Sequence, residues 1–368
     1  MKSPPSIALL LSALQRPASL QVLSMSDWDL LIRQARRADV LARIGENARF
    51  QGVWDALPAQ PRRHLESAMK LAQRQHVELR HEVRAIARAL EPVGEPAVLL
   101  KGAAYVQAGL AAARGRMVSD VDILVPRHRL GEVESALMMA GWVQTNRDVY
   151  DQRYYRQWMH ELPPLRHIKR GSVLDVHHAI LPPTARLKPD SALLLVESVA
   201  AGDDERIRVL SRPDMVLHSA AHLFHEGELQ MGLRGLVDLD ALLREFGADL
   251  DFWPALQLRA QRLDLEGPLN LALRYTRLLL QTPAPEGLET ELQAAAQRRG
   301  AVMRPDLQDA LFLRALRPDH ATASDGWTPL ARAILYLRGH WLRMPPALLG
   351  WHLLRKMFRS LLPERTTP

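Results

Sequence analysis

The chain has 368 residues, no cysteine, 47% hydrophobic residues and a formal net charge of +7. It is long enough for two or three packed lobes, and it cannot form disulfides or cysteine-ligated zinc sites. No stretch approaches the ~20 apolar residues of a membrane-spanning helix. We expect a soluble, cytoplasmic protein whose positive charge suits an anionic partner, although arginine-rich helix faces exposed to solvent would give the same charge.

The first part of the chain is predicted to be a helical N-terminal lobe, residues 1–92. Its apolar run 7–14 is followed by Gln15 and Arg16 rather than by a small-residue cleavage site, so we predict a first helix and not a signal peptide. Apolar residues recur at helical spacing, and 65–90 has the pattern of a long amphipathic helix. Proline and glycine in 91–96 end this lobe.

The middle of the chain, residues 93–183, has the pattern of a compact α/β core. We predict alternating elements up to residue 143: a strand at 97–100, a helix at 103–112, a strand carrying Asp120 and Asp122, a helix at 128–140 and a strand from 141. Two further strands, 150–159 and 165–176, are predicted to form a hairpin joined by 161–164. The second arm of that hairpin would bring Asp175 beside the acid pair.

Asp120 and Asp122 are the most informative residues of the core. Alternate residues of a strand share a face, so the two carboxylates point together while Val121 points into the protein. Like charges held this close repel each other unless a cation lies between them, and Mg²⁺ or Mn²⁺ prefers such oxygen ligands. Asp175, in another short apolar run, is the candidate third ligand.

The rest of the chain, 184–368, is predicted to be a helical C-terminal lobe. His218, His222 and His225 share one helix face, which could bind zinc but is better explained by packing beneath the active site or by contact with substrate phosphate. Residues 330–362 mix aromatic and basic side chains. This segment could lie on an anionic membrane surface, or it could be an amphipathic helix packed on the protein.

Six motifs are distributed over most of the chain: Leu-Leu-Lys101-Gly102-Ala-Ala, Arg116-Met-Val-Ser-Asp120-Val-Asp122, Leu-Asp175-Val-His177, His218-Ser-Ala-Ala-His222, Arg234-Gly-Leu-Val-Asp238-Leu-Asp240 and Trp341-Leu-Arg-Met-Pro-Pro. Together they resemble the polymerase-β-like nucleotidyltransferase superfamily. The narrower resemblance is to bacterial proteins labelled uncharacterised nucleotidyltransferases, often found near polysaccharide-biosynthesis genes, and a more distant one is to toxin nucleotidyltransferases with a Lys-Gly-Gly motif. The resemblance implies an α+β fold: a small mixed β-sheet core between two helical lobes.

The resemblance also implies a reaction: transfer of a nucleoside monophosphate from a nucleoside triphosphate to an acceptor hydroxyl. Asp120, Asp122 and Asp175 would bind Mg²⁺ or Mn²⁺, the last of them at a second metal ion that activates the acceptor. Lys101 and the backbone at Gly102 would hold the β- and γ-phosphates.

Two more residues have alternative roles. Arg116 could pair with phosphate or form an ion pair with a nearby acid. His177 shares the face of Asp175 and could hydrogen-bond substrate or a ligating carboxylate, or it could be a strand-end histidine without a role.

The acceptor is left open by the sequence: a sugar or glycan in polysaccharide, cell-envelope or natural-product biosynthesis, a protein hydroxyl, or RNA. A toxin-like tRNA nucleotidyltransferase is one alternative. A non-catalytic nucleotide-binding accessory protein is another. Three mutually repelling carboxylates argue against that second alternative, whereas Gly102-Ala103, in place of the usual Gly-Ser or Gly-Gly, argues for it.

Overall fold

The computed structural model describes residues 6–144, 155–156, 158–225, 227, 229–298 and 303–345. The α-helices of these residues are α1 (Ala8–Gln15), α2 (Met25–Arg37), α3 (Leu41–Phe50), α4 (Ala59–Leu90), α5 (Lys101–Gln107), α6 (Leu130–Met139), α7 (Ser191–Val196), α8 (Arg212–His225), α9 (Gly232–Phe246), α10 (Phe252–Arg262), α11 (Glu266–Leu280), α12 (Leu288–Arg298), α13 (Pro305–Ala315) and α14 (Thr328–Arg343). The described strands are β1 (Ala97–Leu99), β2 (Asp120–Leu124), β3 (Trp142–Gln144), β4 (Leu165–His167), β5 (Val173–His177), β6 (Val199–Ala200) and β7 (Ile207–Val209).

One mixed sheet contains all seven described strands, in the order β3-β4-β5-β2-β1-β7-β6. The central strand β2 pairs antiparallel with β1 and parallel with β5. On its other edge β1 pairs parallel with β7. The strands that carry the predicted acids, β2 and β5, are therefore neighbours in the middle of the sheet.

The N-terminal helices form where the sequence pattern predicts them. Helix α2 begins after Ser24, whose side chain accepts a hydrogen bond from the backbone of Asp27, while Asp27 caps Ser24 in return. The long helix α4 ends at Leu90, and Gly94 then takes a left-handed backbone conformation with φ of +73°. Helix α4 contacts β1, β2 and β7, so it covers the sheet that carries the acids.

The hairpin prediction is wrong in its boundaries. The predicted strand 165–176 is two antiparallel strands, β4 and β5, because Gly171 at φ of +71° turns the chain between them. Tyr155, Arg156 and Trp158 are helical rather than extended, and the remainder of 150–157 lies outside the described residues. Glu161 instead forms an isolated antiparallel bridge with His177 at the end of β5.

The segment predicted to be mainly helical after residue 190 also contains two short strands. Strands β6 and β7 lie there, and β7 buries Ile207 and Val209 against the sheet. An α+β architecture with a mixed sheet is confirmed, but the prediction of a small sheet is not, since seven strands take part. Most buried apolar residues belong to one cluster from Leu10 to Leu335, and the division into lobes stays a prediction.

Part of the basic C-terminal segment forms a packed helix. Residues 328–343 form α14, which packs against α13 and α8, and 346–368 lie outside the described residues. Within the described part of the chain, none of the helices combines the length and apolar character needed to span a bilayer. The predicted membrane contact of 330–362 stays a prediction.

Candidate active site

The paired aspartates lie at the start of β2, as predicted. Asp120 is partly exposed and accepts a hydrogen bond from Ser119 at 3.3 Å, whereas Asp122 is 5% exposed. Between them Val121 is buried on the opposite face of the sheet. The β-branched residues Val121 and Ile123 favour the strand, and its alternation directs both carboxylates to one side.

Asp122 is ionised although it is buried. The ammonium of Lys101 and Nε2 of His177 each lie 3.0 Å from its Oδ1. Burial acts to raise the pKa of Asp122, but the charge of Lys101 and the hydrogen bond from His177 lower it well below its usual range. Both contacts end on Oδ1, so Oδ2 is the oxygen that remains to face a cation.

Asp175 lies directly opposite Asp122 in the parallel pair of β2 and β5. Its Oδ1 is buried and has no hydrogen-bond partner among the described residues. Burial, and then the charges of Asp122 and Glu161, raise the pKa of Asp175 to about 7. The three predicted acids are thus gathered at one place, and the charge of Asp175 lacks the compensation that Asp122 receives from Lys101.

Lys101 stands at a sharp turn from strand to helix. Leu100 is still extended and donates its backbone N–H to the carbonyl of Asp122 at 2.9 Å, and Lys101 then begins α5 with φ of +46°. A lysine in the left-handed region is strained by roughly 1–3 kcal/mol, and such strain is concentrated at functional turns. The turn places the ammonium over the acid pair, not only at the phosphate position that the resemblance implies.

Arg116 forms the ion pair that was one of its two predicted roles. Its Nε donates to Oδ2 of Asp238 at 2.7 Å, and its guanidinium packs against Gly102, where a Cβ would lie 2.0 Å from Nη1. Arg43 donates to the other oxygen of Asp238 at 3.2 Å. Gly102 is therefore required by the close approach of Arg116, and Arg116 anchors the loop before β2.

His177 contacts a carboxylate, which is one of its predicted roles. Besides Asp122, it faces Glu161, whose Oε2 lies 3.4 Å from Nδ1. Burial acts to lower the pKa of His177, but the hydrogen bond to Asp122 and the charge of Glu161 raise it above its ordinary value. Its ring lies 5.2 Å from that of His160.

His160 and Glu161 are residues that sequence reasoning missed. The sequence pattern places Glu161 in the turn of the predicted hairpin and assigns His160 no role, and only the pairing of 161 with 177 brings them to the acids. Together with His177 they form a group whose potential ligand atoms lie within 4.8 Å of one another. A histidine-glutamate pair ahead of Leu-Pro-Pro is too short a signal to have revealed this.

The three histidines of α8 separate into two environments. His218 and His222 lie edge to face at 6.4 Å, and burial, followed by the nearby charge of Lys101, holds the pKa of each well below its ordinary value. Tyr105 and Ser219 join α5 to α8 through a hydroxyl contact of 2.5 Å. Of the two explanations preferred for these histidines, packing beneath the active site agrees with this placement of His218 and His222.

His225 predicts a pH dependence of stability. Burial and the charges of Arg338 and Arg343 lower its pKa to about 3, so the unfolded chain binds a proton that the folded chain does not between about pH 6.5 and 3. The free energy of unfolding therefore falls as the pH is lowered through this window. When the pH is lowered from about 7.5 to about 5.5, we expect the free energy of unfolding of His225→Gln to fall by about 1.4 kcal/mol less than that of the wild type.

Urea denaturation of both proteins at the two pH values measures this difference. The pH 7.5 data serve as the reference, because His225 is neutral there in both states. Equal losses of stability in the two proteins would show that His225 takes no part.

The donors at the acid site suit a hard divalent cation. Asp120, Asp122 and Asp175 offer oxygen ligands only, and the unpartnered Oδ1 of Asp175 opposes Asp122 across the strand pair. The structure thus places three carboxylates on neighbouring strands beside the turn at Lys101.

The chain belongs to the family described as uncharacterised nucleotidyltransferase, whose model matches residues 24–281. The match includes Lys101, the three aspartates and His177, and the family implies transferase activity with a nucleoside triphosphate as substrate. No curated protein and no solved structure matches the chain. The polysaccharide context and the relation to toxins stay predictions.

Proposed function

We propose that this protein transfers a nucleoside monophosphate from a nucleoside triphosphate to an acceptor hydroxyl, in a reaction that depends on Mg²⁺ or Mn²⁺. The observation that carries the proposal is the register of β2 and β5. It puts Asp175 opposite Asp122, which forms an ion pair with Lys101. Asp120 and Asp122, with Asp175 beside them, would hold the cation. When bound, the cation neutralises triphosphate oxygens and polarises the α-phosphate.

Lys101 and Asp122 prepare the site for the triphosphate. In the free protein the ammonium compensates the charge of the buried Asp122. Lysine has a flexible stem and a compact charge, so Lys101 can turn from Asp122 to a β- or γ-phosphate oxygen when nucleotide enters. His177 keeps its hydrogen bond to Oδ1 of Asp122 and so holds that carboxylate in place.

Asp175 is suited to accept the proton of the acceptor. In the metal-free protein the pKa of Asp175 is raised to about 7, and a cation at the neighbouring aspartates would lower it, so the carboxylate would be ionised when it meets the acceptor hydroxyl. The acceptor oxygen bonds to the α-phosphorus, the bond from that phosphorus to the bridging oxygen breaks, and pyrophosphate leaves. The hydroxyl proton passes to the carboxylate of Asp175.

The experiment uses nucleoside triphosphates labelled with ³²P at either the α- or the γ-position, incubated with purified protein, Mg²⁺ and cell extract. We expect label to move from the α-position only, and the size and nuclease or protease sensitivity of the product to identify a glycan, protein or RNA acceptor. Asp175→Asn should reduce transfer by at least about 100-fold. Asp203→Asn, the same change at an exposed position, should not alter it.

Two outcomes would contradict the proposal. Transfer of γ-label would make the protein a kinase. Absence of transfer from every nucleotide and extract, with nucleotide binding intact, would favour the accessory-protein alternative.

A further inference from the structure

His177 has a ring nitrogen that the acid site does not use. A carboxylate can only accept, so the 3.0 Å contact with Asp122 requires the proton of His177 on Nε2. The other nitrogen, Nδ1, is buried, has no hydrogen-bond partner among the described residues, and lies 3.4 Å from Oε2 of Glu161. A ring nitrogen without a proton and a carboxylate oxygen repel each other at this distance unless a proton or a metal ion lies between them.

His160 adds a second buried nitrogen to the same place. Its side chain is 6% exposed, and its Nδ1 also has no hydrogen-bond partner in the described part of the chain. One ligand atom from each of His160, Glu161 and His177 lies within 4.8 Å of the others. The 3.4 Å between His177 and Glu161 equals the separation of about 3.4 Å expected for ligands bound at 2.0–2.1 Å to a tetrahedral zinc ion.

We propose that His160, Glu161 and His177 form a second cation site, distinct from the three aspartates, that takes Zn²⁺ or a similar transition metal. Two imidazole nitrogens and one carboxylate favour such a metal over Mg²⁺, which prefers oxygen ligands only. Three protein ligands leave a fourth position open. The site does not depend on nucleotidyl transfer being the reaction.

Asp122 is linked to the proposed cation site by its hydrogen bond with His177. Histidine ligands of metals commonly donate their other N–H to a carboxylate, which sets the tautomer and the ring orientation. Asp122 accepts that bond from His177 while it also belongs to the acid site. A cation at His177 would thereby fix the orientation of Asp122.

The test uses full-length protein treated with EDTA and then titrated with Co²⁺ or Zn²⁺ in excess Mg²⁺. We expect one tightly bound Zn²⁺ per chain by elemental analysis after gel filtration, and the visible absorption of tetrahedral Co²⁺. Glu161→Gln and His160→Gln should each weaken Co²⁺ binding at least about 10-fold. Glu161 is 20% exposed, so its amide variant should keep the fold, which thermal melting checks.

Asp175→Asn is the matched control, because it removes a neighbouring carboxylate without touching the three proposed ligands. It should keep the Co²⁺ affinity of the wild type even where nucleotidyl transfer is lost. A loss of Co²⁺ in Asp175→Asn equal to that in Glu161→Gln would place the metal at the aspartates and overturn the proposal.

The remaining alternative is a proton on Nδ1, which would make His177 an imidazolium between Asp122 and Glu161. Nitrogen NMR of ¹⁵N-histidine-labelled wild type distinguishes the two states without any substitution. A His177 resonance that moves to the metal-bound position on addition of Zn²⁺ supports the site. An imidazolium unchanged by Zn²⁺ overturns it.

Discussion

Replacing Asp122 by asparagine is expected to reduce nucleotidyl transfer by at least about 100-fold. Even the loss of a residue that only hydrogen-bonds to a metal ligand commonly costs about 10–100-fold in metal affinity or activity. The amide keeps the shape of the side chain but removes the charge that Lys101 and His177 stabilise. The ammonium of Lys101 then has no carboxylate to compensate its charge, and the oxygen that faces the cation is neutral. Initial rates with α-labelled nucleotide at saturating Mg²⁺ measure the loss.

Asp55→Asn is the control for this prediction. It makes the same chemical change at a side chain that is 99% exposed, so the rate should stay at the wild-type value. Thermal melting of Asp122→Asn shows whether the protein remains folded. A folded Asp122→Asn protein within a few-fold of wild-type activity would mean that catalysis occurs elsewhere.

Replacing Asp238 by alanine is expected to lower the free energy of unfolding by roughly 3–5 kcal/mol, as for other buried ion pairs that lose one partner. Asp238 is 4% exposed and accepts from both Arg43 and Arg116, which belong to α3 and to the loop before β2. Without it the two buried guanidinium groups lose the carboxylate that they share. Urea denaturation at neutral pH measures the change.

An exposed ion pair provides the comparison for Asp238. Asp319 pairs with Arg332 at 2.6 Å but is 61% exposed, so Asp319→Ala should cost no more than about 1 kcal/mol. If Asp238→Ala lost no more stability than Asp319→Ala, the buried arginines would have to find other partners, and the anchoring role of Arg116 would be wrong.

The acid site was predictable because its signals are local. Two aspartates at alternate positions of an apolar strand share a face whatever the remainder of the fold does. Asp175 could be proposed from its own apolar run, but its position opposite Asp122 depends on a parallel pairing between distant segments. The roles of these residues stay predictions, whereas their proximity is a property of the structure.

Other features depended on contacts that no local pattern reports. The partner of Arg116 is Asp238, 122 positions away, so the sequence left its phosphate and ion-pair roles equally open. Strand β6 has only two residues and β7 three, too few for a period of two to be recognised. The turn at Gly171 was obscured because apolar and β-branched residues lie on both sides of it.

The pairing of β1 with β7 affects how the chain is made. Ala97 lies beside Ile207, so roughly 110 residues must be synthesised after β1 before its second edge is covered. At 5–20 residues per second a ribosome needs roughly 5–20 s for this. During that interval the nascent chain carries the acid-bearing strand beside an open, apolar edge that can pair with another chain. Production of this protein should therefore be sensitive to chaperone supply and to growth temperature, and premature termination before residue 207 should yield aggregates.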